Sequence, residues 1–146
     1  IKKKIPSDYL ERLSQSQARM TINQLDQLKS NHLKRIENAK EYYKALKGHD
    51  RIGLPPWRED MSHIYTYYPV QFDDRDSMIK HLIGSKRDAS VQHYKNCADL
   101  NAFGNFYRDC PVARKVARST ILLPTYPSYR ISEIHKTCTV IDEFLK

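Results

Sequence analysis

The chain has 146 residues, of which 40% are hydrophobic and 29% are charged. This composition is typical of one globular domain with a single core, and no apolar run approaches the roughly 20 residues that cross a bilayer, which excludes a membrane-spanning protein. The formal charge of +8 would suit nucleic acid, a nucleotide or an anionic membrane face, but the basic residues are spread along the chain as on solvated helix faces.

The first predicted element is a long amphipathic helix between Ser14 and Gly48. Its apolar residues recur mostly at spacings of three and four, and Lys44, Lys47 and Gly48 are typical of a helix end. This apolar row consists of Met20, Ile22, Leu25, Leu28, Leu33, Ile36, Ala39, Tyr43 and Leu46. Because a helix of about 30 residues is long for so small a domain, we expect another structure to pack on its N-terminal half.

A loop with Pro55, Pro56 and Trp57 follows, and we expect the tryptophan to cover the core. The next segment, residues 64–72, alternates in a way that predicts a half-buried strand, with Pro69 indicating an edge position or a bulge. One predicted face carries Ile64, Thr66, Tyr68 and Val70, and the other carries Tyr65, Tyr67 and Gln71.

Asp73 or Asp74 is then predicted to cap a short helix that ends at Gly84. Met78, Ile79 and Leu82 are expected to face inward from it. Residues 88–94 are a weaker strand candidate, and residues 96–110 read as an irregular loop.

The last third of the chain contains two more predicted helices around a buried strand. Residues 111–118 begin with a proline in the first helical turn. The apolar stretch "STILLP", residues 119–124, predicts a strand in the centre of a sheet. The final helix carries Ile131, Ile134, Cys138, Ile141 and Leu145 on one face. This order predicts an α+β fold, in which a long N-terminal helix precedes a small, mainly antiparallel sheet with helices packed on one side.

No reaction centre is evident in these residues. The six histidines lack the spacing of a metal motif, and the four glycines form no phosphate loop. Cys97, Cys110 and Cys138 have no CxxC spacing, which indicates neither a disulfide framework nor a zinc site and fits a reducing cytoplasm. The aspartates at 73, 74 and 76 are explained by helix capping and the helix dipole. We predict no catalytic residue and no metal ligand in this chain.

Ten tyrosines are the one compositional anomaly. Aromatic rings beside Lys and Arg can bind single-stranded nucleic acid on an open sheet. The aromatic-Gly-aromatic strand of RNA-binding sheets is missing, and tyrosine equally suits the boundary between core and solvent. A nucleic-acid-binding domain is therefore the least favoured hypothesis, and the aromatic strand is better explained as part of a supporting sheet.

A collinear series of short motifs covers the chain from Tyr9 to Leu145. The long helix carries Gln17, Ala18, Gln24, Leu25, Leu28, Arg35, Ala39, Tyr42, Tyr43 and Leu46. After it come the proline-rich loop, the strand from His63, "RD" at Arg75 and Asp76, "HY" at His93 and Tyr94, Pro111 with Ala113 and Ala117, and "LLPTYPSY" at Leu122 to Tyr129. This order resembles the C-terminal part of the DegT/DnrJ/StrS-type sugar aminotransferases, which depend on pyridoxal 5'-phosphate.

The resemblance implies that residues 1–14 connect to a large domain missing from this sequence and that residues 15–146 form the small domain. The large domain would lie upstream and supply the cofactor lysine, so this fragment alone would be inactive and hold no cofactor. The full-length protein would bind pyridoxal 5'-phosphate, a nucleotide-linked keto-sugar and glutamate as amino donor. It would be a cytoplasmic homodimer with active sites at the subunit interface, in amino-sugar biosynthesis for a surface polysaccharide or a glycosylated metabolite.

The substrate-binding candidates under this resemblance are Arg12, His93, Tyr94 and Tyr126, with no cofactor-binding residue expected in the fragment. One position departs from the family pattern. Leu10 stands where family members have an asparagine that reaches the cofactor phosphate of the neighbouring subunit, and leucine cannot donate a hydrogen bond. This departure favours an alternative in which the chain is a non-catalytic interaction module that retains the fold.

Overall fold

The computed structural model describes residues 12–91 and 95–146. The Leu10 substitution and the candidates His93 and Tyr94 lie outside these residues. In the described part, four α-helices and two β-strands are joined by loops with two short 3-10 segments, Cys97–Asp99 and Asn101–Phe106. The helices and strands are α1 Gln15–Leu46, β1 Tyr67–Gln71, α2 Arg75–Gly84, α3 Pro111–Ser119, β2 Thr120–Pro124 and α4 Ile131–Leu145.

The predicted long helix is confirmed, and α1 runs for 32 residues. It begins with a capping box. The Ser14 hydroxyl accepts a hydrogen bond from the Gln17 backbone N–H, and the Gln17 side-chain oxygen accepts one from the Ser14 backbone N–H. Shortly after its end, Gly48 adopts φ +94°, a left-handed conformation that favours glycine. The buried face differs in detail from the predicted one, because Tyr42 is fully buried and Tyr43 only partly so.

The sheet is a two-stranded antiparallel pair in which Tyr67 of β1 is opposite Pro124 of β2 and Gln71 is opposite Thr120. Single bridges extend it on both sides, from Gly53 to Gln71 and from Ser90 to Leu122. All five residues of β2 are buried. The strand predicted from "STILLP" is therefore confirmed as a buried strand, but its predicted central position is not, because the sheet has two strands and β2 is flanked by β1 on one side and by the single Ser90 bridge on the other.

Two strand predictions need correction. The strand predicted from residue 64 begins only at Tyr67, because Tyr65 adopts φ +46° and the chain bends there. This bend buries Tyr65 and leaves Ile64 exposed, so the predicted alternation, in which Ile64 shares a face with the buried Tyr68, holds only within β1. The candidate strand at residues 88–94 is limited, in its described part, to the single bridge at Ser90.

The short helices agree with the sequence. Asp74 caps α2 by accepting a hydrogen bond from the Ser77 amide at 3.3 Å, and α2 ends at Gly84 as predicted. Pro111 lies in the first turn of α3. Residues 96–110 form the expected irregular loop apart from the two 3-10 segments, and this loop is mostly exposed.

The core lies between the sheet and the helices α1, α2 and α4. Its fully buried members include Tyr42, Tyr68, Leu82, Leu123 and Ile141. The rings of Tyr42 and Tyr68 stack with their centroids 5.5 Å apart, which joins α1 to β1. This arrangement confirms the predicted α+β fold class. Among the described helices, none combines the length and the apolar character needed to cross a membrane.

Candidate functional site

Tyr126 is the one predicted substrate-binding residue that the structure places in a defined, partly exposed setting. It follows β2, and its side chain is 40% exposed. Its ring packs edge-to-face on Tyr129 with centroids 5.1 Å apart. Partial burial and the neighbouring carboxylate of Asp88 raise the pKa of the Tyr126 hydroxyl, so this group stays protonated and can donate a hydrogen bond to a ligand.

The backbone around Tyr126 is held by Asn38 of α1. The Asn38 side chain is fully buried, and its amide nitrogen lies 3.4 Å from the Thr125 carbonyl and 3.2 Å from those of Tyr126 and Tyr129. Three carbonyl oxygens thus converge on one amide group, and that of Tyr126 also accepts a hydrogen bond from the Tyr129 backbone N–H at 2.9 Å. Asn38 therefore fixes the loop that carries Tyr126 to the long helix.

A second contact joins this loop to the segment before β1. The Thr125 hydroxyl, which is fully buried, donates to the Tyr65 carbonyl at 2.6 Å and lies 3.0 Å from the Thr66 carbonyl. Arg35 of α1 donates to the same Thr66 carbonyl at 3.0 Å. The unusual backbone conformation of Tyr65 is thus held by side chains from two other segments.

An aromatic column supports the same region. Tyr43, Trp57 and Tyr65 stack in order, with centroids 5.4 and 5.3 Å apart. The His63 ring is tilted against the Tyr65 ring, and the centroids of the two rings are 4.3 Å apart. The prediction that Trp57 covers the core is consistent with this position. Because Tyr65 and Tyr68 are buried, β1 and the segment just before it present no open row of rings to nucleic acid.

Arg12, the other predicted site residue within the described ranges, is not brought together with Tyr126 in one copy of the chain. Arg12 is exposed just before α1. At a rise of about 1.5 Å per helical residue, the start of α1 lies about 35 Å from Asn38 and so far from Tyr126. His93 and Tyr94 fall between the described residues Val91 and Lys95, so their predicted role stays a prediction.

The described residues do not fit the covalent site of pyridoxal phosphate. A lysine that forms a Schiff base is normally enclosed and desolvated. Every lysine in the described ranges is exposed except Lys34, which is half-buried and pairs with Glu37 at 2.7 Å. No group of His, Cys, Asp and Glu in these ranges could hold a metal ion.

Asn38 and Thr125 were not among the predicted site residues. Asn38 is a polar residue between Arg35 and Ala39 on the apolar side of a long helix, and such a position is a recognisable signal of a buried polar contact. Thr125 lies inside the motif "LLPTYPSY" but gives no separate signal, because its partners, the Tyr65 and Thr66 carbonyls, are set by the bend before β1.

The N-terminal half of α1 presents an apolar surface that no described residue covers. The large exposed side chains on this half are Leu13, just before the helix, and Met20, Ile22, Leu25, Leu28 and Leu33 within it. By contrast, Ala39, Tyr42 and Leu46 in the C-terminal half are fully buried. An unpartnered apolar surface of this kind is typical of an interface with another domain or chain.

Comparison with known proteins agrees with the motif order. The sequence matches the DegT/DnrJ/EryC1/StrS aminotransferase family over residues 4–142. Curated protein sequences give no match. Among solved structures, DesV from S. venezuelae superposes with a TM-score of 0.84 and 24% identity, covering 92% of this chain and 37% of that chain.

Two further structures give similar values. PseC from Helicobacter pylori, an aminotransferase involved in the biosynthesis of pseudoaminic acid, has a TM-score of 0.80 at 18% identity, covering 90% of this chain and 37% of PseC. A DegT DnrJ EryC1 StrS aminotransferase from Brucella abortus has a TM-score of 0.80 at 21% identity, covering 91% of this chain and 36% of that chain. The chain thus spans little more than a third of the length of these proteins, and their likeness shows the fold. On the family match over nearly its whole length, the chain belongs to the DegT/DnrJ/EryC1/StrS aminotransferase family.

Proposed function

We propose that this chain is the C-terminal small domain of a pyridoxal-phosphate-dependent aminotransferase that acts on a nucleotide-linked keto-sugar. The observation that carries this proposal is the uncovered apolar surface on the N-terminal half of α1, in contrast to the C-terminal half, which packs Ala39, Tyr42 and Leu46 into the core. A large domain preceding α1 would cover that part of the helix. The similar structures described above support such a domain, because this chain covers only 36 to 37% of their length.

When bound in the longer protein, pyridoxal phosphate supplies an electron sink for the transfer of the amino group. The residues of this chain would bind and orient the sugar nucleotide. Tyr126 would donate a hydrogen bond from its protonated hydroxyl, held in place by Asn38 and Thr125. His93 and Tyr94 would contact the same substrate, and Arg12, about 35 Å away along α1, would serve the active site of the partner subunit in a homodimer.

The cofactor lysine would come from the large domain, because the described lysines lie on the surface. The 146-residue chain would then be inactive by itself. Cys97, Cys110 and Cys138 are free thiols, which fits a reducing compartment and supports the expectation of a cytoplasmic enzyme. The sugar, the amino donor glutamate and a role in surface polysaccharide or glycosylated-metabolite biosynthesis belong to the same proposal.

The test compares the natural longer protein with the 146-residue chain. We expect the longer protein to bind pyridoxal phosphate with a visible absorbance band and to transfer the amino group of glutamate to a nucleotide keto-sugar. We expect the 146-residue chain to show neither property. A longer protein that lacks a cofactor lysine and binds no pyridoxal phosphate would contradict the proposal.

The domain contact can be tested separately. Leu25→Glu places a charge on the uncovered apolar surface, whereas Asn23→Glu adds the same charge on the other side of the helix. In the 146-residue chain both variants should keep the free energy of unfolding within about 0.5 kcal/mol, because both side chains are exposed. In the longer protein only Leu25→Glu should lower the melting temperature and the yield of folded dimer. Equal behaviour of the two variants there would contradict a domain interface on this surface.

One sequence feature favours a second candidate function. Leu10 replaces an asparagine that the family uses toward the cofactor phosphate, which suits a non-catalytic interaction module with the same fold. The cofactor-binding experiment separates the two candidates. A restored phosphate contact in Leu10→Asn, seen as tighter cofactor binding by the longer protein, would favour the enzyme, and absent binding in both forms would favour the module.

A further inference from the structure

A cationic cavity lies between the start of α2, α3, Val91 and residues 95–100. Its volume is about 310 Å³. Four cationic side chains line it, Arg75, Lys95, Arg114 and Arg118, together with one carboxylate, Asp99. A cavity of this size is at the lower end of ligand pockets, so it suits a small group rather than a whole sugar nucleotide.

Two of the arginines are fixed by partners. Arg114 binds both oxygens of Asp99, with nitrogen–oxygen distances of 2.7 to 3.0 Å, and Asp109 at 2.9 Å. Arg75 donates to the Ala117 carbonyl at 2.8 Å, and its remaining nitrogens contact Asp76. The Arg114 guanidinium holds the pKa of Asp99 below its usual range, so this carboxylate remains charged and paired.

Lys95 and Arg118 differ from these arginines. Neither forms an ion pair or a side-chain hydrogen bond with any residue in the described ranges, although both line the cavity. The charges of Arg75 and Arg114 are offset by Asp76, Asp99 and Asp109. With Lys95 and Arg118 included, the four cations exceed the three carboxylates by one positive charge, which a bound anion would neutralise.

Asn96 adds a buried hydrogen-bond donor at the edge of the cavity. Its side-chain oxygen accepts from the Ala98 amide at 3.4 Å, which sets the orientation of the group. The side-chain nitrogen is buried and lines the cavity, its interaction with the Asp99 carboxylate helps to lower the pKa of that group, and no described acceptor meets the geometry of a full hydrogen bond with it. A buried donor without a partner costs about 1–3 kcal/mol, and a ligand acceptor in the cavity would remove this cost.

We propose that this cavity is a binding site for a phosphate or diphosphate group, contacted by Lys95, Arg118 and the Asn96 amide. Lysine supplies a point charge and arginine a planar pair of donors, which together match the oxygens of such an anion. The assignment of this anion as the diphosphate of a nucleotide sugar rests on the proposed aminotransferase function. The presence of an anion site in the chain does not depend on it.

The test is titration of the 146-residue chain with pyrophosphate, inorganic phosphate and uridine diphosphate, followed by calorimetry and by amide chemical shifts. We expect pyrophosphate to bind, with an affinity that falls as salt is added and with shifts centred on residues 95–100 and 114–118. Uridine diphosphate that binds more tightly than pyrophosphate would indicate a nucleotide as the source of the anion. Equal affinity would indicate recognition of the phosphate groups alone.

Matched variants distinguish a site from general attraction to a basic protein. Arg118→Gln, Lys95→Gln and Asn96→Asp should each weaken pyrophosphate binding about tenfold or more, since each removes a charge-assisted bond or adds a repulsive charge. Lys115→Gln removes the same charge from α3 but lies in a different cavity beside Asp50 and Asp73, so it should change the affinity less than twofold.

Circular dichroism checks that each variant remains folded. Equal weakening by Arg118→Gln and Lys115→Gln, or no binding of any of the three anions, would overturn the site. Because the titration requires neither cofactor nor amino transfer, its failure would leave the aminotransferase proposal standing. Conversely, failed amino transfer by the longer protein would leave a measured anion site intact.

Discussion

Removal of the Asn38 side chain tests the contact between α1 and the loop that carries Tyr126. Asn38→Ala deprives the carbonyls of Thr125, Tyr126 and Tyr129 of their common donor and leaves a small cavity. Buried acceptors without partners and the lost packing together cost about 2–4 kcal/mol of the free energy of unfolding. For a chain of this size that loss corresponds to a decrease of about 5–15 °C in melting temperature.

Asn38→Asp is the sharper variant, because it keeps the shape of the side chain but exchanges the amide donor for an oxygen. It would aim a carboxylate at three carbonyls in a site with no exposure to solvent. We therefore expect Asn38→Asp to destabilise the chain more than Asn38→Ala at neutral pH. Asn23→Ala, on the exposed half of the same helix, is the control and should change stability by less than about 0.5 kcal/mol.

Urea unfolding monitored by far-UV circular dichroism measures these differences, and the near-UV signal checks that the aromatic side chains keep their native packing. The reasoning would be refuted by Asn38→Asp having the stability of the unaltered chain. A loss of less than about 0.5 kcal/mol in Asn38→Ala would refute it as well.

Three further predictions concern other buried or paired groups. Thr125→Val should lower the free energy of unfolding by about 1–2 kcal/mol in urea titration, because the isosteric valine cannot donate a hydrogen bond to the Tyr65 and Thr66 carbonyls. An unchanged urea midpoint would contradict the role of the Thr125 hydroxyl. Burial raises the pKa of the Cys138 thiol to about 12. Iodoacetamide at about pH 8 should therefore label the exposed Cys97 in the folded chain and Cys138 only after unfolding. Mass spectrometry of digests measures the labelling of each cysteine. Hydrogen bonds from Lys136 and Arg87 lower the pKa of Glu133. The stability that this carboxylate contributes is therefore present above the ordinary carboxylate pKa and is lost as pH falls through the lowered pKa of the folded chain. In Glu133→Gln this part of the acid-induced decrease in melting temperature should disappear, and a pH profile equal to that of the unaltered chain would contradict the prediction.

The elements that could be predicted from sequence are those in which local chemistry and tertiary packing agree. The α1 helix combines a capping box, an apolar row and a terminal glycine, and its predicted limits differ from the observed ones by one or two residues. The all-apolar β2 is buried on both faces as its composition indicates. The start of β1 could not be predicted, because the bend at Tyr65 depends on distant contacts with Thr125 and Arg35 rather than on neighbouring residues.

The candidate site was only partly predictable for the same reason. Tyr126 could be identified from a family motif, and the structure gives it a partly exposed position beside Asp88. The partners that hold its loop come from positions far apart in the sequence, Asn38 by 88 residues. The cationic cavity likewise combines side chains from α2, α3 and the loop between them, whose basic residues appear scattered when the chain is read in order.

The uneven packing of α1 has a consequence for the exchange of its backbone amide hydrogens with solvent. Helices that lack tertiary contacts are marginal in water, and amides in such segments open locally with little free energy. In the isolated chain, amides near Leu25 should therefore exchange with deuterium much faster than those near Tyr42, although both belong to one continuous helix. Docking of a large domain would slow the first group, so deuterium uptake along this single element would record whether the two parts of the protein are joined.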